Sequence, residues 1–313
     1  MAARERATGV NQLELVSRPY GQAGDWERLN KFVQKIVQSA ANKNVNLHIG
    51  DLAWRFYRTL DFQPQKAIHF WNNSIDDEML AIGWYSAAHH GLDLLIDPDF
   101  LDLEKRVLAW GNQRYRQFRA ENRGYGQLKI QVFNWDQPRQ QRLAQAGFRR
   151  DMFYYVWFEQ SLNAPQAHAE PLSGFEIRRL QPNEAAERAE LHNSAFFTDD
   201  VTQASYERLI QSPAYVNAID LVSVAPDGRL AAFVLGWIDP VRKVGMLEPV
   251  GTHPEFRRLG LAKSLVKEML NQMKLAGMQT AQVYTENPNI GAKRLYGSAG
   301  FRIVGKQYDW VKT

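Results

Sequence analysis

The stretch that decides the fold is residues 247–263, which read LEPVGTHPEFRRLGLAK. The segment from Met246 to Thr252 predicts a strand, and it ends in a short loop with two arginines and a glycine that leads into a helix pattern. The first turn of a helix offers unpaired backbone N–H groups and the positive end of the helix dipole, which together favour a phosphate. The stretch therefore predicts an anion site, and its extent suits a pyrophosphate.

Small and basic residues support this prediction. Gly260 lets the backbone approach an anion closely, and Ala262 stays small where bulk would block it. Positive charge comes from Arg257, Arg258 and Lys263. A lone R-x-x-G-x-A pattern is better explained by solvated arginines and a glycine that only shapes the turn. A second pattern, N-x-x-A-x-x-L-Y followed by A-G-F in residues 289–301, argues against that alternative.

The flanking sequence predicts alternating strands and helices. Apolar positions spaced by three and one predict a helix over Arg258–Ala276, which Gly277 is placed to end. Asn183 is a candidate N-cap for an earlier helix, and residues 226–228, Pro-Asp-Gly, predict a hairpin turn. Strands are predicted at Phe175–Leu180, Ala218–Val224, Ala231–Ile238, Met246–Thr252, Gln279–Thr285 and from Phe301 onward, and a short helix at Asn289–Ser298. This order predicts a mixed α/β domain with a helix crossover between neighbouring strands.

Length and composition set the frame. The 313 residues correspond to about two domains. A net charge of +4 is too mild for a typical nucleic-acid-binding protein, and the absence of cysteine excludes disulfides, thiolate metal sites and a cysteine nucleophile. With no signal-peptide core and no apolar run near the roughly 18 residues of a membrane span, we expect a soluble cytoplasmic protein.

The chain divides into two similar halves. Residues 161–173 contain two prolines and few large apolar residues, and are predicted to be a linker between domains at 1–160 and 174–313. Gly83-Trp84-Tyr85, Asp97-Pro98-Asp99-Phe100 and Ala146-Gly147-Phe148-Arg149 recur as Gly236-Trp237-Ile238, His253-Pro254-Glu255-Phe256 and Ala299-Gly300-Phe301-Arg302. The offsets are 153, 156 and 153 residues. Three matches so nearly in register predict a duplicated domain.

The second half resembles the GNAT superfamily of N-acetyltransferases. The resemblance rests on the R-x-x-G-x-A pattern of residues 257–262, on the V-G-T-H-P before it, and on the N-x-x-A-x-x-L-Y and A-G-F patterns of residues 289–301. It covers most of 174–313. Together with the repeat, it implies two tandem GNAT-like α/β domains, each a mixed, mostly antiparallel sheet flanked by helices, the first a degenerate copy.

The family implies a place for acetyl-CoA. The cosubstrate would lie in a splay between the strand ending near Thr252 and the strand Gln279–Thr285, its pantetheine arm pairing with the backbone of Val250 and Thr252 across Gly251. Asn289, with Ala292 of the same motif, would contact the pantetheine region. The pyrophosphate would lie on the amides of Arg258, Leu259, Gly260, Leu261, Ala262 and Lys263. No metal is expected.

Direct transfer of an acetyl group needs a base and an acid. The acceptor ammonium must lose a proton first, and Glu248 stands where the family often places the carboxylate that takes it. Tyr296 would protonate the departing thiolate, and a backbone N–H near Val250 would stabilise the oxyanion. Glu286 is a rival base, Glu248 could be only an exposed strand residue, and Tyr296 could be only a packing aromatic. His253 is a turn residue in this interpretation.

The first half departs from the family pattern. Asp97-Pro98-Asp99-Phe100 runs on without R-x-x-G-x-A, and Asp99, Asp102 and Glu104 place negative charge where phosphates would lie. The position that matches Tyr296 is Leu143 or Ala144. We therefore expect a first domain without cofactor that shields the sheet of the second or shapes its acceptor pocket.

Other candidates are weaker. His89 and His90 are adjacent, so on a strand they would face opposite sides and not share a metal. Residues 50–58 mix arginines with aromatics, which suits single-stranded nucleic acid but also a half-buried helix. Four arginines, Arg114, Arg116, Arg119 and Arg123, suit a solvated helix face or an anionic partner.

The sequence thus predicts an acetyl-CoA-dependent N-acetyltransferase whose second domain is active. The acceptor would be a primary amine of a small molecule or a peptide. Neither a membrane nor a nucleic acid is expected as a partner. A non-catalytic acyl-CoA sensor or scaffold is the alternative. Monomer and homodimer both stay open.

Overall fold

The computed structural model describes residues 14–39, 47–87, 91–122, 126–163 and 172–313. His89, His90, Arg123 and most of the predicted linker lie outside these ranges. None of the helices in them is both long and apolar enough to cross a membrane. The same residues contain no group of three His, Cys, Asp or Glu side chains that could hold a metal ion.

The first half of the chain alternates strands and helices. Its elements are β1 (Leu15–Pro19), α1 (Asp25–Gln38), α2 (Ile49–Tyr57), α3 (Pro64–Ala67), β2 (Ile68–Asn73), β3 (Met79–Ser86), β4 (Gly91–Ile96), α4 (Glu104–Asn122), β5 (Leu128–Phe133), α5 (Gln137–Gln145) and β6 (Arg149–Ser161). A 3₁₀ helix, Pro98–Leu103, precedes α4.

The second half repeats this order, with a 3₁₀ helix, Pro213–Asn217, in the place of α3. Its elements are β7 (Glu176–Arg179), α6 (Ala185–Phe196), α7 (Gln203–Ile210), β8 (Ala218–Val224), β9 (Leu230–Asp239), β10 (Val244–Thr252), α8 (Leu261–Leu275), β11 (Thr280–Glu286), α9 (Ile290–Ser298) and β12 (Arg302–Lys312). Here too a 3₁₀ helix, Pro254–Phe256, precedes the long helix. The predicted duplication and α/β architecture are confirmed.

The described residues contact one another as two compact units. The described residues of the first unit fall within 1–45, 63–130 and 312–313, and those of the second within 46–62 and 131–311. Thus α2 and β6, which belong to the first half of the sequence, lie in the second unit. The domain boundaries at 160 and 174 stay a prediction drawn from the sequence repeat. The contacts group the chain differently, because β6 pairs with β11 and β12.

The first unit is built on an antiparallel sheet. Strands β1, β2, β3 and β4 pair in that order, and β4 begins a parallel pairing with β5 at Gly91 and Lys129. Buried charge within it is paired: Asp25 accepts two hydrogen bonds from Arg18, at 2.6 and 2.8 Å.

The second unit contains a larger sheet in the order β12-β6-β11-β10-β9-β8-β7. Only β10 and β11 pair in parallel, since α8 crosses over between them. The predicted apolar stripe of α8 packs on one face of this sheet, with Leu265, Val266 and Met269 fully buried. The predicted N-cap Asn183 is wrong: α6 begins after Glu184, whose carboxylate accepts from the Gln181 N–H and pairs with Arg178 at 2.5 Å.

The helix α2 contacts β9 and β10 in the second unit. Its N-cap is His48, whose Nδ1 accepts from the Gly50 N–H at 3.0 Å while its Nε2 lies 3.2 Å from the Val244 carbonyl oxygen. Gly50 has no space for a side chain, because a Cβ would lie 2.0 Å from Cγ of Trp237. Residues 50–58 were predicted to be either a nucleic-acid-binding segment or a half-buried helix, and the structure shows a half-buried helix.

Candidate functional site

Strands β10 and β11 diverge in the middle of the second unit. They pair at only three positions, Val244 with Thr280, Gly245 with Ala281 and Met246 with Gln282. Beyond Met246 each strand continues without pairing to the other: β10 pairs on with β9, and β11 with β6. The result is a splay in the sheet whose β10 side is residues 247–252, where the sequence predicts the cosubstrate.

A bulge in β10 lies at the start of the splay. The register of β10 against β9 shifts between Leu247 and Val250, and the Glu248–Pro249 peptide bond is cis. Trp237 of β9 donates its indole Nε1–H to the Glu248 carbonyl oxygen at 2.7 Å. The backbone of Glu248 is thereby held by a side chain rather than by the strand ladder.

The Glu248 carboxyl is held by groups on β11 and α2. Tyr284 donates its hydroxyl to Glu248 Oε1 at 2.5 Å and also lies 3.5 Å from Asp51 Oδ1. Arg55 pairs with Asp51 Oδ2 at 2.9 Å, one helical turn away on α2. The second oxygen of Glu248, Oε2, is buried and has no hydrogen-bond partner among the described residues. Tyr284 thus holds one oxygen in place, and the carboxyl also faces the carboxyl of Asp51, with which it forms a hydrogen bond when one of the two is protonated.

Burial, and after it the negative charge of Asp51, raises the pKa of Glu248 to about 8. Burial also raises the pKa of Tyr284 well above its ordinary value, with the neighbouring carboxylates adding to the effect. A carboxyl that titrates near neutral pH exchanges a proton readily with a group of similar affinity. Glu248 is half-buried as a residue, but the Oε2 end of its carboxyl is buried.

The N-terminus of α8 is open. Gly260, the N-cap, has φ +91°, and a Cβ there would meet nothing within 4 Å. Arg258 also has positive φ, at 68°. In the described parts of the chain, the backbone N–H groups of residues 258–262 find no acceptor, whereas those of Lys263 and Ser264 bond to the Gly260 carbonyl oxygen. Arg258 and Lys263 are exposed beside these amides, so the loop fits a pyrophosphate.

Arg257 makes contacts within the protein instead. Its guanidinium donates to the carbonyl oxygens of Ala195 at 2.8 Å and Thr252 at 3.3 Å, and lies 5.0 Å from the ring centre of Phe197. It ties the end of α6 to the end of β10. The structure thus gives Arg257 a structural task next to the loop, although all three cations of the predicted set, Arg257, Arg258 and Lys263, are exposed.

The second motif forms the start of α9. Asn289 is the N-cap, and its Oδ1 accepts from the Ala292 N–H at 3.0 Å. Tyr296 is only 5% exposed, and its ring packs 5.7 Å from Phe158 and 5.9 Å from Phe301 between ring centres. Burial, with a smaller contribution from the charge of Glu248, raises the pKa of Tyr296, so its hydroxyl stays protonated at neutral pH.

Comparison with known proteins agrees with this geometry. The sequence of residues 186–301 matches the model of the acetyltransferase (GNAT) family. These residues form a GNAT domain. The sequence matches no curated protein.

Solved structures extend the likeness along the chain. A GCN5-related N-acetyltransferase from Sphaerobacter thermophilus is 17% identical, with a TM-score of 0.65 and 95% of each chain covered. A tandem GNAT protein from the clavulanic acid biosynthesis pathway is 14% identical, with a TM-score of 0.67 over 96% of this chain and 98% of its own. Saccharomyces cerevisiae N-myristoyltransferase, with bound myristoyl-CoA, is 12% identical, with a TM-score of 0.62 over 99% of this chain and 80% of its own. These likenesses establish a tandem GNAT fold.

The two alternative residues near the GNAT site have other surroundings. Glu286, the rival base, is exposed at the end of β11, and its carbonyl oxygen accepts from the Asn289 N–H. His253 caps the 3₁₀ helix before α8 by accepting from the Glu255 N–H at 3.3 Å. Neither side chain is held at the splay as Glu248 is.

The first repeat has different contacts at the position that corresponds to the loop before α8. The 3₁₀ helix before α4 begins at Asp97, whose Oδ1 accepts from the Asp99 N–H at 3.0 Å and whose other oxygen pairs with Lys35 at 2.7 Å. Asp97 thus takes the place that His253 has in the second repeat, and the 3₁₀ helix after Asp97 runs directly into α4. Of the two residues that could match Tyr296, Leu143 is fully buried and Ala144 is exposed. Loss of cofactor binding by this repeat stays a prediction that these contacts favour.

Sequence reasoning missed three residues of the site: Asp51, Arg55 and Tyr284. The first two lie on α2, far from the motifs, and their only local signal is the spacing of four residues that pairs an acid with a base on one helix face. Tyr284 lies in a strand that was predicted, but no pattern in the sequence indicates that its side chain reaches Glu248.

Proposed function

We propose that the GNAT domain of the second repeat transfers an acetyl group from acetyl-CoA to a primary amine, by direct attack in a ternary complex. The observation that carries the proposal is the Glu248 carboxyl, which lies where β10 and β11 separate, with one oxygen held by the Tyr284 hydroxyl and the Asp51 carboxyl beside it. A base is needed at this place in a GNAT reaction, because the acceptor arrives as an ammonium ion with a pKa near ~10.

Residues of this chain fit the cosubstrate. The free amides of 258–262 and the exposed Arg258 and Lys263 would hold the pyrophosphate. The β10 edge from Val250 to Thr252, which β11 leaves unpaired, would hold the pantetheine arm. Ala292 and Asn289 border the same region in the family pattern. Acetyl-CoA supplies the activated acetyl thioester; a neighbour of the same fold, the yeast N-myristoyltransferase, is a precedent for an acyl-CoA.

Glu248 acts as the base in this proposal. Its ionised form takes a proton from the acceptor ammonium through a water, because its Oε2 is buried, while Tyr284 keeps Oε1 in place. Because the pKa of Glu248 is raised to about 8, the transfer costs less than it would to an ordinary carboxylate. A donor for the oxyanion is proposed at the Val250 backbone N–H.

Tyr296 acts as the acid. Its hydroxyl keeps its proton at neutral pH, and its buried ring is fixed by Phe158 and Phe301, so the group is rigid. It would deliver the proton to the departing thiolate of coenzyme A.

The alternative is a non-catalytic acyl-CoA sensor. Such a protein needs the open N-terminus of α8 and the splay, but it has no use for a carboxyl of raised pKa at the splay. The cluster of Glu248, Tyr284 and Asp51 therefore favours the enzyme. The acceptor amine, whether small or peptidyl, and a cytoplasmic location stay predictions.

Calorimetric titration of the full chain with acetyl-CoA tests the proposal. We expect one site per chain, lost in Gly260→Leu, whose side chain would fill the space before the free amides. Gly228→Leu is the matched control, because Gly228 has φ +86° and an equally open Cβ position in the β8–β9 turn. It should bind like the wild type.

Other outcomes decide against parts of the proposal. Two sites per chain would mean that the first repeat also binds the cosubstrate. No binding by the wild type would overturn the enzyme and the sensor together. Binding without turnover in a screen of small and peptidyl primary amines would favour the sensor.

A further inference from the structure

The helix α2 brings a second carboxylate to Glu248, from a part of the chain far outside the GNAT family match. We propose that Asp51 is a positioning residue that keeps a proton on Glu248 and so sets the pH range in which Glu248 works as a base. The effect on the pH dependence of catalysis rests on the proposed function. The proton on the Glu248 carboxyl does not, because it can be observed without substrates.

Asp51 is placed rigidly. The first turn of α2 is anchored to β10 through His48 and the Val244 carbonyl oxygen, at 3.2 Å. One residue before Asp51, Gly50 packs so closely on Trp237 that no side chain fits between them. Trp237 in turn holds the Glu248 carbonyl oxygen. The same indole therefore fixes both the helix that carries Asp51 and the bulge that carries Glu248.

The two oxygens of Asp51 face different partners. Arg55 pairs with Oδ2 at 2.9 Å, while Oδ1 faces the Tyr284 hydroxyl at 3.5 Å, the same hydroxyl that donates to Glu248. A guanidinium at this distance stabilises the ionised form of a carboxyl. When two carboxylates share a site, the pKa of one of them is strongly raised. Asp51, with its arginine, is thus the ionised member of the pair, and Glu248 holds the proton.

Charged and titratable groups face Glu248 from four elements. They are Asp51 and Arg55 on α2, Tyr284 on β11, Tyr155 on β6 and Tyr296 on α9. The three tyrosines all have a raised pKa and are neutral at pH 7. Asp51 is therefore the anionic neighbour that raises the pKa of Glu248, and Arg55 opposes it.

Substitutions at the two α2 positions have opposite signs. Asp51→Asn removes the negative charge and leaves Arg55 beside Glu248, so Glu248 should lose its proton at lower pH. Arg55→Gln removes the positive charge and leaves Asp51, so the pair should hold its proton to higher pH. A merely structural role for α2 would not reverse the sign between two residues that bond to each other.

The test is an infrared titration of the full chain without substrates, which follows the carbonyl stretch of protonated carboxyl groups. Glu248→Gln identifies the band that belongs to Glu248. In Asp51→Asn we expect the midpoint of this band to fall by about one pH unit or more, a tenfold loss of proton affinity. In Arg55→Gln we expect it to rise. Asp200→Asn is the matched control, because Asp200 pairs with Arg58 after the end of α2 at 3.0 Å and should leave the midpoint unchanged.

Several results would overturn the inference. An unchanged midpoint in Asp51→Asn would do so, and so would a lower midpoint in Arg55→Gln. The inference would also fail if the wild type showed no carboxyl band with a midpoint near neutral pH that is missing in Glu248→Gln. If Asp51→Asn does not fold, the sign in Arg55→Gln decides. With an active enzyme, the acid limb of kcat/KM should move with the infrared midpoint; a chain without activity that still shows the midpoint shifts would refute only the proposed function.

Discussion

Replacing Glu248 by glutamine should stabilise the protein at alkaline pH. The native state holds a proton on Glu248 up to a pKa of about 8, whereas a glutamate in the unfolded chain titrates at its ordinary value of 4.5. Between these values the native state binds more protons than the unfolded state, so the free energy of unfolding of the wild type falls as pH rises. Glutamine has nearly the same shape and cannot ionise, so the variant escapes this loss.

The magnitude follows from the two pKa values. The interval from 4.5 to about 8, at roughly 1.36 kcal/mol for each pH unit, gives a ceiling of about 5 kcal/mol. Relaxation of the surroundings around the ionised carboxylate reduces this ceiling. We therefore expect an advantage of Glu248→Gln of about 2 kcal/mol at about pH 9, and one close to zero at about pH 5.

Urea unfolding followed by tryptophan fluorescence at several pH values measures this difference. Glu190→Gln is the control, because Glu190 is an exposed glutamate on α6 and the same chemical change there should leave the two curves parallel. Curves of the wild type and Glu248→Gln that stay parallel from about pH 5 to about pH 9 would refute the reasoning, because an ordinary carboxylate shows no such divergence.

Two further substitutions test the acid and the anchor of α2. Tyr296→Phe keeps the buried ring and should lower kcat at least about tenfold with the Kd of acetyl-CoA unchanged; an unchanged kcat would remove the acid role. Gly50→Ala should cost about 1–3 kcal/mol of unfolding free energy, since its Cβ would overlap Trp237, although alanine favours helix by about 1 kcal/mol. Gly297→Ala, in α9 with open space at Cβ, is the control and should stabilise instead; equal effects at both positions would contradict the overlap.

Local signals carried most of the fold. The periodic apolar positions before Gly277 predicted α8, and the turn at residues 226–228 was predicted between β8 and β9; both are confirmed. The helix start predicted at Asn183 was wrong by one residue, because Glu184 satisfies the preceding turn with its own carboxylate. Capping choices of this kind depend on which side chain turns back, which a pattern does not specify.

The open loop before α8 is likewise a local matter. Gly260 needs no distant contact to adopt positive φ, and the free amides follow from the helix that begins behind it. These features could be predicted because all the residues that determine them lie within a few positions of one another in the sequence.

The tertiary structure decided the surroundings of Glu248. Its hydrogen-bond donor comes from β11, its charged neighbour Asp51 comes from α2, and the two are 36 and 197 positions away in the chain. The pairing of β6 between β11 and β12 is equally invisible in the sequence, since the repeat alone suggests that each half keeps its own strands. Periodicity and capping act over one or two turns, whereas a proton affinity depends on every charge and apolar group within a few ångströms, whatever its place in the sequence.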